Sequence, residues 1–360
     1  MVDPKMHKPK DYHKRSSDAL SFCEGAFKAL THMVRGVNVV RSGGTFAVSS
    51  AFPWLVFGRS IFEVESSNYS SKGRWLRAIY QDAVYKFQSA PDSTTLYLPA
   101  ASAAGVSSIN ASAAVGGGVH EAGHCKCDCA NGKFPTFEVF KKKVGRHLDM
   151  SIPYGKCNLP KWVNVCADMR LEPGMALEYP EVEHRFHSIQ SWVHDLESDV
   201  RGKTAAGDFL CALRDAGKGW VSDESTKVYS EYGQESRDLV DYLKPIWREL
   251  KPRNTDWEST AHLPVYVAVE IINALSKLLE ENPPPKPPPG GDDGDDEGDD
   301  GKVGKSPMSL DDIKRLLDGE GEALDPSSAM EKDVKKNAEE LDHALYIPNG
   351  TKPIYRRLLK

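Results

Sequence analysis

The pentapeptide His120-Glu121-Ala122-Gly123-His124 constrains the fold of this 360-residue chain more than any other feature. Residues four apart lie on one face of a helix, so the imidazoles of His120 and His124 can reach one metal ion. Glu121 lies beside them without being a ligand, where its carboxylate can take a proton from a zinc-activated water. The pattern therefore predicts a zinc-hydrolase site with Glu121 as general base. The alternative is two surface histidines on an ordinary helix.

The residues before this pentapeptide predict a strand, then a loop, then the helix that carries the histidines. Thr94–Leu98 is a short β-rich run closed by Pro99. The glycines at 116–118 cost helix stability, so we expect the helix to begin within Ser107–Ala114 or just after it. This order is that of zincin-type active sites, where an exposed strand edge holds an extended peptide by backbone hydrogen bonds.

A third protein ligand is needed, because catalytic zinc usually has three such ligands and a water. The segment Asn164–Glu172, which we expect to be helical, carries Asp168 and Glu172 at i and i+4 on one face. One carboxylate can bind zinc while the other accepts a hydrogen bond from a ligand histidine. We take Asp168 as the ligand, with Glu172 as the alternative. Arg170 can stabilise an oxyanion or pair with a carboxylate; an ordinary solvated charge pattern is the other interpretation.

Together these residues resemble the metallopeptidase-like region of the CobT family, cobaltochelatase-subunit-like proteins of bacteria and phages. The pattern is Leu-Pro, a variable stretch, His-Glu-x-Gly-His, then Asn-x-x-x-Asp-x-Arg-x-Glu, and it spans roughly residues 30–185. The resemblance implies a zincin-like domain that binds Zn²⁺ and cleaves a protein or peptide. It also implies a ring-shaped AAA+ ATPase of the MoxR or CobS kind as partner. The family commonly has a glutamate at the position of Ala167, so Asp168 or Glu172 would have to substitute for it.

A tract that cannot form a core divides the chain. Residues 282–301, NPPPKPPPGGDDGDDEGDDG, combine prolines that favour an extended conformation with mutually repelling carboxylates. We therefore predict a zincin-like domain over 1–281, a disordered acidic linker over 282–301 and a short helical segment over 302–360. Members of the CobT family place such a linker before a von Willebrand A domain. No D-x-S-x-S motif occurs here, so a complete domain of that kind is not expected.

The expected fold class is α+β, mostly helical with a small sheet. Two strands are predicted on either side of the Gly43-Gly44 turn, at Val37–Val40 and Thr45–Ser49. Apolar spacing predicts further helices over Ser16–Val34, Arg74–Phe87, Ala205–Ala216, Gln234–Leu250 and Leu263–Glu280.

Other cysteines and histidines are better explained by packing than by metal binding. Cys125, Cys127 and Cys129 have C-x-C spacing, which suits a zinc site poorly, so we expect buried apolar thiols. A thiolate ligand from Cys166, two residues before Asp168, is the alternative. The segment with His184, His187 and His194 predicts an amphipathic helix that needs no metal.

Composition narrows the location and the partners. The odd count of seven cysteines fits a reduced cytoplasm, and the charged N-terminus lacks a signal core. No run of about 18 apolar residues occurs, so no membrane span is expected. No interleaved aromatic and basic stretch favours nucleic acid. Three functions remain: a zinc-dependent peptidase, a non-catalytic zincin-fold adaptor, and a chelatase-type component that handles a metal as substrate.

Overall fold

The computed structural model describes residues 26, 36–41, 47–48, 77, 93–98, 111–128, 136–198, 201, 204–281 and 308–318. Over these residues the chain is mostly helical. The predicted helices Ser16–Val34 and Arg74–Phe87 lie outside them, apart from Ala26 and Arg77, which are helical. The predicted linker 282–301 and Cys129 also lie outside the described residues.

The described helices are numbered α1 to α11 in chain order. Their bounds are α1 Ala111–Gly123, α2 Phe137–Lys143, α3 Leu159–Glu178, α4 Glu183–Glu197, α5 Ala205–Lys218, α6 Asp223–Tyr229, α7 Gln234–Tyr242, α8 Lys244–Trp247, α9 Trp257–Thr260, α10 Leu263–Glu281 and α11 Leu310–Leu317. A π-helical turn, His124–Asp128, continues α1, and 3-10 helices occur at Pro180–Val182 and Arg248–Leu250.

Three strands form one sheet in the described part of the chain: β1 (Gly36–Arg41), β2 (Ala47–Val48) and β3 (Ser93–Leu98). Their order is β1-β3-β2, with β1 parallel and β2 antiparallel to β3. The two strands that flank Gly43-Gly44 therefore do not pair with each other as a hairpin. In the described residues β2 covers Leu96 and Tyr97 of β3, so the open edge expected of the strand before the histidine helix is partly occupied.

Helix α1 owes its small residues to close packing against α3 and α4. A Cβ added at Gly116 would lie 2.4 Å from the backbone oxygen of Arg185 in α4. A Cβ at Gly123 would lie 2.9 Å from a side-chain carbon of Leu171 in α3. The glycines lower the helix propensity of α1, but they let the histidine helix approach both neighbours closely enough to share a buried site.

Helix α3 runs through the middle of the helical body and contacts α1, α5 and α10. Pro160 lies in its first turn, where a missing N–H costs nothing. One side of the helix is fully buried in the core, with Trp162, Cys166 and Met169 at 0–1% exposure. The rigid placement of α3 fixes the carboxylates that it carries.

The apolar pattern of Gln234–Leu250 predicts one helix, and this prediction is wrong. The structure has α7 over Gln234–Tyr242, α8 over Lys244–Trp247 and a 3-10 turn after it. Pro245 lacks an N–H and falls in the first turn of α8. A proline in a helix interior removes one backbone hydrogen bond and crowds the preceding turn. α3 accommodates Pro173 in its interior, whereas at Pro245 the chain breaks at Leu243 and the proline takes a first-turn position.

A buried ionic network joins α4 to α5. Arg214 donates two hydrogen bonds to Glu197, at 2.8 and 2.7 Å. The Asp215 carboxylate lies 3.1 Å from Nε2 of His194 and accepts a hydrogen bond of 2.8 Å from the hydroxyl of Tyr232. Asp215 and Glu197 are at most 1% exposed, so their charges depend on these partners.

The long helix α10 belongs to the core. The stretch Trp257–Glu281, which contains it, is long and apolar enough by length and composition to cross a membrane. Val265, Ile272 and Leu275 are each fully buried against the rest of the protein. Packing within the helical body therefore accounts for the apolar sequence.

Helix α11 packs on α10 and α5. Ser309 caps it by accepting a hydrogen bond from the backbone N–H of Asp312, 3.2 Å away. Ile313 and Leu316 are buried in the same core cluster as α10, so this segment adds to the main helical body.

Candidate metal centre

Both histidines of the pentapeptide come from one continuous helical segment. His120 lies in the last turn of α1, and His124 begins the π-helical turn that follows. Single π turns inside α-helices are often found at functional sites. His120 and Asp168 keep 16% and 15% of their side-chain surface exposed, so the centre opens to solvent on one side.

Three donor atoms converge at this opening. Oδ1 of Asp168 lies 3.5 Å from Nε2 of His120 and 3.3 Å from Nε2 of His124. Ligand atoms of the three residues all lie within 4.8 Å of one another. Two donors that are each about 2.0–2.1 Å from a tetrahedral zinc ion are about 3.3 Å apart, so the spacing around Asp168 fits zinc.

A carboxylate on α3 orients the first imidazole. Nδ1 of His120 lies 2.8 Å from Oε1 of Glu172, and the same oxygen accepts hydrogen bonds from Gln190 and Lys218, also at 2.8 Å. Glu172 is fully buried. This contact assigns the N–H of His120 to Nδ1 and leaves the lone pair on Nε2, as in the usual carboxylate–histidine–zinc arrangement.

A second carboxylate orients the other imidazole. Nδ1 of His124 lies 2.7 Å from Oδ2 of Asp128, four residues later in the π turn. The other oxygen of Asp128 lies 3.5 Å from the guanidinium of Arg170. Arg170 also donates to the backbone oxygen of Cys127 and to the hydroxyl of Thr260, at 3.0 and 2.7 Å. Each of the two imidazoles is thus oriented by a buried carboxylate, and other side chains fix each carboxylate in turn.

Glu121 lies between the two histidines in sequence and is 5% exposed. Burial raises the pKa of its carboxyl, because the charged form is desolvated, and the nearby imidazoles lower it less. Its place next to the donor cluster matches that of a general base in HExxH enzymes.

The pKa shifts at the donor cluster reflect an excess of negative charge. Burial alone would lower the pKa of His120 and His124, yet the contacts with neighbouring carboxylates outweigh it and raise both. Burial would raise the pKa of Asp168, but its contacts with the two imidazoles and Lys218 hold it well below the usual value. The site therefore favours bound positive charge.

The charges of the centre balance with one divalent cation. They are four carboxylates and two cations: Glu121, Asp128, Asp168 and Glu172 against Arg170 and Lys218. With neutral imidazoles two negative charges remain in excess. Oδ1 of Asp168 is buried and makes no hydrogen bond, and a bound cation would give this oxygen the partner that buried polar atoms normally have. The residues present therefore fit a zinc ion.

The structure brings the predicted site residues together and gives each of them a different partner. Asp168 joins the donor cluster, whereas Glu172 lies behind His120 and Arg170 pairs with Asp128. Arg170 is 1% exposed, so it does not face a substrate. A glutamate at the position of Ala167 is not needed, because Asp168 completes the set of three donors.

Sequence reasoning missed three residues of the centre: Asp128, Gln190 and Lys218. Asp128 is four residues after His124, the spacing that brings side chains together on a helix, so its role had a detectable signal. Gln190 in α4 and Lys218 in α5 reach Glu172 only through tertiary packing. No local pattern identifies them.

Packing and structural contacts account for Cys127, Cys166, His187 and His194, whereas Cys125, which was expected to be buried, is only partly buried. Cys127 and Cys166 are fully buried, and burial raises the pKa of both thiols, so Cys166 is not a thiolate beside Asp168. His194 belongs to the Asp215 network, and His187 Nε2 lies 2.8 Å from the backbone oxygen of Val221.

Comparison of the chain with protein-family models, with curated proteins and with solved structures finds no match.

Proposed function

We propose that this protein is a zinc-dependent metallopeptidase with a zincin-like fold, in which His120, His124 and Asp168 hold the metal. One observation carries the proposal: two Nε2 atoms and Oδ1 of Asp168 converge, while each Nδ1 is held by a buried carboxylate. A zinc ion bound there would act as a Lewis acid, which polarises a scissile carbonyl and lowers the pKa of a water.

The other steps belong to side chains of the chain itself. Glu121 accepts the proton of the attacking water and delivers it to the leaving amine. Glu172 and Asp128 keep the two imidazoles in the tautomer and orientation that point Nε2 at the donor cluster. The open side of the cluster, at His120 and Asp168, admits a protein or peptide substrate.

The proposal is tested by measuring zinc per chain and peptide hydrolysis on the same preparations. We expect about one zinc per chain in the wild type and a loss of zinc in His124→Ala and in Asp168→Ala. Glu121→Gln should keep zinc and lose hydrolysis by at least a hundredfold, because it removes only the base. Cleavage is read by mass spectrometry on a mixed peptide library.

His184→Ala serves as the matched control, since this exposed histidine lies away from the centre. It should keep both zinc and hydrolysis. A wild type that holds no zinc after metal-free purification and reloading would overturn the proposal.

The position of β3 favours a second candidate, a non-catalytic adaptor or chelatase-like component that works with a MoxR- or CobS-type AAA+ ATPase. β3 precedes the histidine helix, and among the described residues it pairs with β1 along its whole length and with β2 at Leu96 and Tyr97, which reduces the edge left for an extended peptide. Under this candidate, wild type and Glu121→Gln hold zinc equally and neither cleaves peptides. Recovery of the ATPase with the immobilised chain would then support it.

A further inference from the structure

A second cavity, separate from the metal centre, lies at the N-terminus of α10. Its volume is about 260 Å³. The described residues that line it come from the end of α2 and the turn after it, from the 3-10 turn before α9, and from the first turn of α10 with the residue before it: Lys142, Lys143, Arg146, His147, Glu249, His262, Leu263 and Tyr266. None of these residues has a role in the proposed zinc chemistry.

The helix end itself favours an anion. α10 has 19 residues, and its first turn contains no acidic side chain. The first N–H groups of a helix lack partners within it, and the aligned peptide dipoles place partial positive charge there. Leu263 and Tyr266 of this first turn border the cavity, so the positive end of the helix faces it.

His262 supplies an independent observation. The residue is 4% exposed, and neither ring nitrogen makes a well-formed hydrogen bond. Burial, followed by the charges of Lys143 and Arg170, lowers the pKa of His262 to about 4, while the nearby backbone of Ser259 opposes this shift. The ring is thus neutral at pH 7 and keeps one N–H to donate. A buried donor without a partner is costly unless a ligand satisfies it.

The side chains around the cavity add net positive charge. Lys142, Lys143 and Arg146 are exposed cations, and Glu249 is the opposing carboxylate in the lining. His147 is engaged by Glu270, 2.9 Å away. The formal charge of the lining is therefore plus two with neutral histidines. That charge matches a phosphate group, which carries about −1.5 to −2 at pH 7.

We propose that this cavity binds a phosphate group, as inorganic phosphate or as a phosphomonoester. Pro264 has no N–H, and Tyr266 donates its own to the backbone oxygen of His262, 3.0 Å away. The ring N–H of His262 and the backbone N–H of Leu263 would therefore donate to the phosphate oxygens. Lys142, Lys143 and Arg146 would neutralise its charge. The proposal does not depend on zinc binding or on peptidase activity.

Calorimetric titration of the full chain with inorganic phosphate tests the proposal. Lys143→Gln/Arg146→Gln changes two exposed side chains, so the fold should persist, and we expect phosphate binding to weaken at least tenfold. His262→Phe should weaken it similarly while the circular dichroism stays unchanged. Lys277→Gln, an exposed lysine paired with Glu281, is the matched control and should bind like the wild type.

Two further arms separate the sources of the anion. Glycerol 2-phosphate in place of inorganic phosphate shows whether an ester is accepted, and binding of either one supports the site. The titration is repeated on His124→Ala, because phosphate could also bind a metal. Binding that disappears in His124→Ala, or that is equal in wild type and the double variant, would overturn the proposal, as would no binding at millimolar phosphate.

Discussion

Oε1 of Glu172 is a single oxygen with three donors around it. His120, Gln190 and Lys218 each approach it to 2.8 Å. Burial alone would raise the pKa of Glu172, but Lys218 and His120 outweigh it and lower that pKa. The carboxylate therefore stays ionised and fixes the N–H of His120 on Nδ1, which makes Glu172 a positioning residue for the metal ligand.

Glu172→Gln is expected to weaken zinc binding by about 10–100-fold, because a neutral amide is a weaker acceptor for the N–H of His120 and leaves the ammonium of Lys218 without its countercharge. The affinity is measured by competition with a chromogenic chelator. Glu181→Gln changes an exposed residue in the 3-10 turn Pro180–Val182, and this control should bind zinc as the wild type does. Equal affinities in the two variants would show that Glu172 does not position His120.

The sequence could place Asp168 and Glu172 on one helix face, but it could not assign their roles. Both carboxylates are compatible with a metal in the i, i+4 pattern alone. The assignment depends on α5, whose last residue, Lys218, lies at Glu172. Asp128 was within reach of sequence reasoning, whereas Lys218 was not.

At the level of helices, the glycines of α1 favour the fold, although helix propensity scales count them as unfavourable. Sequence reasoning treated 116–118 as a cost to the helix, yet Gly116 and Gly117 are buried inside it. Gly116 allows the backbone of α4 to approach, and that contact is visible only once both helices are placed. Amphipathic helices were easier: Leu263–Glu280 was predicted, and α10 is Leu263–Glu281.

Gly116→Ala should destabilise the protein by about 1–3 kcal/mol, since the added methyl would lie 2.4 Å from a backbone oxygen and force α1 and α4 apart. The free energy of unfolding is measured by urea titration. Gly233→Ala is the control, because its Cβ would meet nothing within 4 Å. It should change stability by no more than about 0.5 kcal/mol. A similar loss in both variants would argue against the close helix contact.

On the scale of the whole molecule, buried charges link helices that are distant in sequence. Four helices meet at Glu172, since its donors come from α1, α4 and α5. The second network, around Asp215, joins α4 and α5 to Tyr232. Neither network leaves a periodic signal. The β1-β3-β2 order was also not predictable from the sequence. The turn predicted at Gly43-Gly44 favoured pairing of β1 with β2, whereas both strands pair with β3, which is distant in sequence.

Asp215→Asn should cost roughly 1.5–3 kcal/mol at pH 7, because the neutral amide weakens the charged contacts with His194, Tyr232 and Arg214, while Arg214 keeps Glu197 as a partner. Burial alone would raise the pKa of Asp215, but Arg214, His194 and Tyr232 hold it well below the usual value. A lowered pKa contributes stability above the unfolded value of about 3.9, and that contribution disappears as the pH falls further.

The difference between wild type and Asp215→Asn should therefore be constant from pH 7 to about pH 5 and shrink below about pH 4. Urea unfolding at pH 7, 5 and 3 measures it. Asp241→Asn, an exposed carboxylate on α7, is the control and should follow the wild type throughout. A gap that stays unchanged at pH 3 would show that Asp215 does not titrate with a lowered pKa.

The spread of the metal centre along the chain also sets an order in time. Lys218 follows His124 by 94 residues, so at about 5–20 residues per second the ribosome makes it roughly 5–20 s after the histidine motif. Until then the nascent chain has both imidazoles but lacks the ammonium of Lys218, which pairs with Glu172 where this carboxylate orients His120. If the proposed zinc site forms, we therefore expect it to reach full affinity only after residue 218 has been made and the last turn of α5 has packed against α3.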